Sequence, residues 1–159
     1  MKRNVFGMLA LTAEDFADAI LREFDEQDHC TILPNFQTKK GVNSSNNSIL
    51  RKKGFYCIYK DKFPVYLGYT NIDIGGRVGR FYAAIRGTEH EEENHPAGYK
   101  FFREFGQNFS LMTIKSVEFQ PENLDISDGI KMENIEQVLI SKIKPALNSE
   151  IFFNHWMKT

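Results

Sequence analysis

The sequence predicts an α+β domain in which helices flank three short strands. Three observations carry this. Residues 54–60 and 63–69 are two aromatic, β-branched runs around a tight turn, the pattern of a hairpin. Segments 12–28, 73–86 and 129–143 carry apolar residues at helical spacing. A further run, 109–119, suits a third strand. The order is helix, hairpin, helix, strand, helix, with a short helix expected near 99–105.

The first helix starts at Thr12, where Asp15 three residues later makes a capping-box-like entry. Phe16, Ala17, Ile20, Leu21 and Phe24 then form its apolar stripe. Residues 34–48, rich in Asn, Ser and Lys, read as a loop or arm. In 73–86 the positions Ile74, Val78, Phe81 and Ile85 follow one face. Residues 87–98 are polar and acidic, and the last helix ends before Pro145. With 159 residues the chain makes a single domain: residues 1–53 form an N-terminal helix and arm, and residues 54–159 form the core with an insertion at about 87–108.

Hydrophobic residues make up 42% of the chain, with 14 Phe and 6 Tyr, which argues for a packed core. Cys30 and Cys57 show neither metal-ligand spacing nor a disulfide framework, so a reducing, cytoplasmic setting is expected. No apolar run is long enough to span a bilayer. The opening MKRNVFGMLALTAEDF starts like a signal peptide, but Glu14 and Asp15 interrupt its apolar patch. Net charge is −1, which alone does not suggest a nucleic-acid binder. Basic residues are nevertheless concentrated at Lys39, Lys40, Arg51, Lys52, Lys53, Arg77, Arg80 and Arg86, ahead of the acidic run Glu89, Glu91, Glu92 and Glu93. A strip of this kind tracks phosphates, and it is equally an ordinary mixed surface.

Tyr56 and Tyr66 stand ten residues apart, in GFY and YLG. Side chains alternate along a strand, so the two share a face only in the right register. A three-residue turn, Lys60-Asp61-Lys62, puts Tyr66 opposite Tyr56. A two-residue turn puts Tyr66 opposite Cys57, with the tyrosines on opposite faces. A functional pair thus requires the odd turn; otherwise the two are common cross-strand aromatics. Pro64 marks its strand as an edge. Gly75, Gly76 and Gly79 weaken the following helix by about 1 kcal/mol each relative to alanine. The compensation is either close approach of the helix start to a phosphate or tight packing on the sheet. On that helix Arg77 falls beside Phe81 at the edge of the apolar face, with Arg80 further round and Arg86 on the other flank. On the last helix Glu136 falls between Ile140 and Ile143, away from the polar face. A carboxylate there needs a metal ion or a cationic partner. Glu133 reads as solvated.

This ordered set resembles the GIY-YIG nucleases. GFY stands where that family has GIY and YLG where it has YIG. The tail E-x-x-L-I-x-x-x-x-P-x-x-N, Glu136 to Asn148, is similar to that of the nuclease subunit of bacterial excision repair, as is the tyrosine spacing. The resemblance covers roughly residues 54–86 and 109–148. It implies a small antiparallel three-stranded sheet flanked by helices and metal-dependent cleavage of DNA. It also implies that Glu136 binds Mg²⁺ (or Mn²⁺), that Tyr56 takes a proton from the attacking water directly or through Tyr66, and that Arg77 stabilises phosphate charge. A tyrosine ionises near pH 10, so such a base needs positive charge beside it. The chain departs from the family at Tyr69, where Lys or Ser is frequent, and at Phe81, where His or Tyr is frequent. Arg80, Tyr82, His90 or His95, and Asn148 are the auxiliary candidates. Lys39, Lys40, Arg51, Lys52, Lys53, Arg80 and Arg86 are the expected DNA contacts. The small size suits a stand-alone restriction-type or phage-type endonuclease acting as a homodimer or higher homo-oligomer. The rival expectation is a non-catalytic nucleic-acid-binding or protein-interaction module on the same fold.

Overall fold

The computed structural model describes residues 12–28, 30–31, 53–61, 63–86, 96–105, 112–119 and 131–157. Its elements run α1 (Ala13–Glu26), β1 (Cys30–Thr31), β2 (Gly54–Lys60), β3 (Phe63–Thr70), α2 (Ile74–Arg86), α3 (Pro96–Phe105), β4 (Met112–Glu118), α4 (Met132–Ile143), a 3-10 turn (Ala146–Asn148) and α5 (Glu150–Met157). The strands form one antiparallel sheet in the order β1-β4-β2-β3. The expected three strands are its body, and the two-residue β1 is an addition the sequence does not signal.

Local chemistry explains the helix ends. The Thr12 hydroxyl accepts from the Asp15 amide, and the Asp15 carboxylate accepts from the Thr12 amide, completing the capping box. Helix α4 ends at Lys144 in the left-handed region (φ 57°), followed by Pro145, which cannot continue a helix. Helix α5 starts where the Ser149 hydroxyl accepts from the Ile151 amide.

The sheet has a core on each face. One face presents Phe55, Cys57, Leu67, Val117 and Phe119 to Phe16, Ala17, Ile20 and Phe24 of α1 and to Ile135 and Leu139 of α4. Each of the larger side chains contributes about 2 kcal/mol by leaving water. The other face presents Tyr56, Ile58, Met112 and Ile114 to Ile74, Val78 and Phe81 of α2, to Ala97 and Phe101 of α3, and to Leu147.

The hairpin corrects the expected turn. Lys60 pairs with Phe63, leaving only positions 61 and 62 between the strands, and Asp61 adopts φ 52° as a tight two-residue connection favours. A two-residue turn alone would put Tyr66 on the wrong face. The pairing then slips: Tyr59 faces Pro64, but Ile58 faces Tyr66, so Val65 is an extra residue in β3. This β-bulge reverses the parity a second time. Tyr56 therefore faces Gly68, and both tyrosines return to one face. Pro64 lies on the sheet's outer strand beside the bulge, where a missing N–H does no harm.

Candidate active site

The glycines of GFY and YLG have separate steric causes. Gly54 has φ 149°, and a Cβ there would lie 2.0 Å from the Val117 carbonyl oxygen of β4. A Cβ on Gly68 would lie 2.7 Å from the Tyr56 hydroxyl. Gly68 thus leaves the space that the Tyr56 ring fills, directly across the hairpin.

Tyr56 is wholly buried, whereas Tyr66, Arg77 and Glu136 are half-buried. The tyrosine rings are 6.2 Å apart, and Tyr66 stacks on Phe81 of α2 at 6.3 Å. Among the described residues, the buried polar side-chain atoms without a hydrogen-bond partner are Tyr56 Oη and Arg77 Nε. Burial pushes the Tyr56 hydroxyl above its ordinary pKa, with the neighbouring Tyr66 adding to the rise and Arg77 opposing it. Burial likewise raises Tyr66, again opposed by Arg77. The guanidinium is close enough to favour both phenolates, although strict hydrogen-bond geometry is not met at Tyr56 Oη. Burial works against the Arg77 charge, but Tyr56 and Tyr66 more than offset it and leave its pKa raised.

Glu136 comes from the other side of the sheet. Helix α4 packs under β3, and Glu136 reaches the strand's outer edge, where its carboxylate accepts from the Tyr69 backbone amide. Burial raises its pKa; the Tyr69 amide and Arg77 counter this, and Glu133, itself exposed, adds to it. Glu136 and Arg77 thus feel each other across the edge strand. Beside them the Asn148 side chain accepts from Leu67 N–H (3.0 Å) and donates to Leu67 C=O (3.1 Å).

Tyr56, Tyr66, Arg77, Glu136 and Asn148, spread over 93 positions (56–148), therefore meet along one edge strand. The other expected residues fare differently. Arg80 and Lys53 are exposed. Lys39, Lys40, Arg51, Lys52, His90 and His95 lie outside the described residues, as do the side chains of Tyr82 and Arg86. The Tyr69 ring packs on Phe55 on the opposite face, at 4.9 Å, so only its amide serves the site. The phosphate explanation for the α2 glycines is not favoured: the Asp73 carboxylate already accepts from the Gly76 amide, and Gly75 and Gly79 are buried against the core. The Tyr69 amide and the Gly68 space escape sequence reasoning, because both depend on the register.

A divalent cation fits these residues in one respect. Mg²⁺ is commonly held by one or two carboxylates, keeping water and phosphate oxygens as its other ligands. Glu136, oriented by the Tyr69 amide and only half-buried, offers one such oxygen ligand. Among the described residues no group of three or more His, Cys, Asp or Glu side chains forms a fuller cage. No helix among them is long and apolar enough to cross a membrane. No family model matches the chain, and neither a curated protein nor a solved structure matches it.

Proposed function

We propose that this chain is a metal-dependent endonuclease that hydrolyses phosphodiester bonds in DNA. The observation that carries the reading is the meeting of Tyr66, Arg77 and Glu136 at the edge of β3, with the unpartnered Tyr56 hydroxyl beneath them. A tyrosine pair, a guanidinium and a lone carboxylate contain the parts that water activation and phosphate stabilisation require.

In this reading Glu136 holds Mg²⁺ or Mn²⁺, which when bound supplies Lewis-acid stabilisation of the phosphate. Arg77 holds a non-bridging phosphate oxygen. Tyr66, the less buried member of the pair, meets the attacking water and in its phenolate form takes the proton. The water oxygen bonds to phosphorus as the bond to the leaving sugar oxygen breaks, and that oxygen takes a proton from solvent. Full burial withholds Tyr56 from the water, so in this reading it acts through the neighbouring Tyr66. The proton that Tyr66 gives up beforehand passes to solvent; burial opposes this and leaves its pKa raised, and the Arg77 charge offsets part of that cost. Lys53 and Arg80 are exposed and suited to phosphate contacts. Restriction-type, sequence-specific cutting by a cytoplasmic homodimer completes the proposal.

The rival, a binding module without catalysis, draws on Phe81: its ring fills the space beside Tyr66 with no proton-carrying group. The two separate on plasmid and phage DNA incubated with purified protein and Mg²⁺ or EDTA, beside Glu136→Ala. Metal-dependent cutting lost in the variant supports the nuclease. Binding without cutting, unchanged in Glu136→Ala, supports the module.

A further inference from the structure

We infer that Ile72 touches the bases of the DNA substrate and packs against them within about four nucleotides of the scissile phosphate; this rests on the nuclease reading above. The large hydrophobic side chains left exposed among the described residues are Ile72, Ile151 and Met157. Ile151 and Met157 lie on α5, beside the half-buried Phe153 and Trp156. Ile72 stands apart from them on the loop between β3 and α2, with 73% of its surface in water. Folding gains little from an isoleucine there, and turns ordinarily take Gly, Pro, Asn, Asp or Ser. A single exposed isoleucine is common on protein surfaces, but the place of this one in the chain sets it apart.

The loop joins the two segments that carry the site. Before Ile72, the Tyr69 amide orients the Glu136 carboxylate; after it, Arg77 adjoins the tyrosines. Cα atoms lie about 3.8 Å apart along the chain and rise about 1.5 Å per residue in a helix, so Ile72 is within about 13 Å of both. A duplex advances about 3.4 Å per nucleotide, and a strand seated on Arg77 and Glu136 therefore passes Ile72 within about four nucleotides of the cut. The loop is held on both sides. The hydroxyl of the buried Thr70 accepts from the Ile72 amide, the Asp73 carboxylate accepts from the Gly76 amide, and Ile74 is buried in the core beside Tyr56. Ile72 is thus pinned in backbone while its side chain stays in water, and it loses little freedom when base surface covers it. The tip carries no cation: Thr70, Asn71 and Ile72 are uncharged and Asp73 is engaged with Gly76. Its matching surface is therefore a base rather than a phosphate, and isoleucine is among the side chains that insert at base steps.

The test removes bases from the DNA and the side chain from the protein. Cut positions on plasmid and phage DNA are mapped, and short duplexes carrying one such site are made with a single abasic nucleotide at each position within about four nucleotides of the cut. Wild type, Ile72→Ala, Ile72→Leu and Ile151→Ala are compared on each. Ile151 is the control: it is as exposed as Ile72 but lies on α5, which meets the far end of β3 where Trp156 stacks on Phe63. Wild type should lose about tenfold or more in kcat/KM at one abasic position or more. Ile72→Ala should show a similar loss on intact DNA, mainly in KM, and should lose no more than about twofold further when those bases are absent. Ile72→Leu should restore the wild-type profile, Ile151→Ala should keep it, and all variants should melt with wild type. Wild type indifferent to every abasic position, an Ile72→Ala profile matching wild type, or the same change in Ile151→Ala would overturn the inference. If wild-type protein cuts no DNA with Mg²⁺ or Mn²⁺, the nuclease reading fails separately. The contact is then judged by fluorescence anisotropy on labelled fragments of the same plasmid. A Kd raised about tenfold or more in Ile72→Ala and restored in Ile72→Leu supports it, and equal Kd values, or no binding by wild type, reject it.

Discussion

The two edges of the sheet are closed by the same device. At the β4 edge, Gln27 pairs its amide with the backbone of Ser116, just past the end of the two-residue β1. At the β3 edge, Asn148 does the same to Leu67. Both prevent an open strand from pairing with another chain. The neighbours differ. Ser116 pairs with Tyr56 of β2 but lies two strands from Tyr66, and Gln27, at the end of α1, completes its hydrogen bonds. Around Leu67 lie two tyrosines, an arginine and a carboxylate whose ionisations are coupled. The same bond pair thus lies two strands from Tyr66 at one edge and next to it in sequence at the other.

Four substitutions sharpen or break this contrast. The largest effect falls on Glu136→Gln, which should reduce cutting by about a thousandfold or more in a plasmid assay. The same variant should melt at a higher temperature at pH 7. Burial raises the pKa of Glu136, so the folded state binds its proton more tightly than the unfolded state does. Its charge therefore costs stability at neutral pH, a cost relieved as pH falls through the raised pKa. The advantage of the glutamine should accordingly shrink on acidification, and melting curves from pH 7 to 4 check this. Gly68→Ala comes next, destabilising by about 1–3 kcal/mol in urea unfolding because its Cβ meets the buried Tyr56 hydroxyl. Combining it with Tyr56→Leu should recover most of that loss. Gln27→Ala should cost about 1–2 kcal/mol in urea unfolding by leaving the Ser116 amide and carbonyl unpaired. The smallest effect is a gain. Tyr56→Phe removes a buried, unpartnered hydroxyl and should stabilise by about 1 kcal/mol while slowing cutting. Loss of stability in that variant would show that the hydroxyl has a partner in solution.

Much of this arrangement was legible in the sequence because it is local. Thr12 and Asp15, the apolar stripe of α1, the two hairpin strands and the edge positions of Arg77 and Glu136 follow from spacing along one element. The unread part depends on other elements. The parity of the hairpin results from a two-residue turn and a bulge at Val65 acting together, and no residue of that segment announces a bulge. The Tyr69 amide is invisible to any reading of side chains. Asp73 capping Gly76 removes the phosphate explanation that three glycines suggested. The strand at Cys30–Thr31 is too short for a periodicity, and the helix Glu150–Met157 was missed because its apolar residues show no clear face.

Cys57 adjoins Tyr56 on β2 and faces the opposite core, wholly buried and unoxidised, its thiol pushed up to about 12 mainly by burial. Alkylating reagents attack the thiolate, so this sulfur is silent while the sheet is closed. It becomes reactive only when the central strand opens, and the labelling rate at Cys57, mapped by mass spectrometry, is then a stopwatch for that opening. The strand that carries Tyr56 therefore contains its own kinetic reporter, with no probe to be installed near the chemistry.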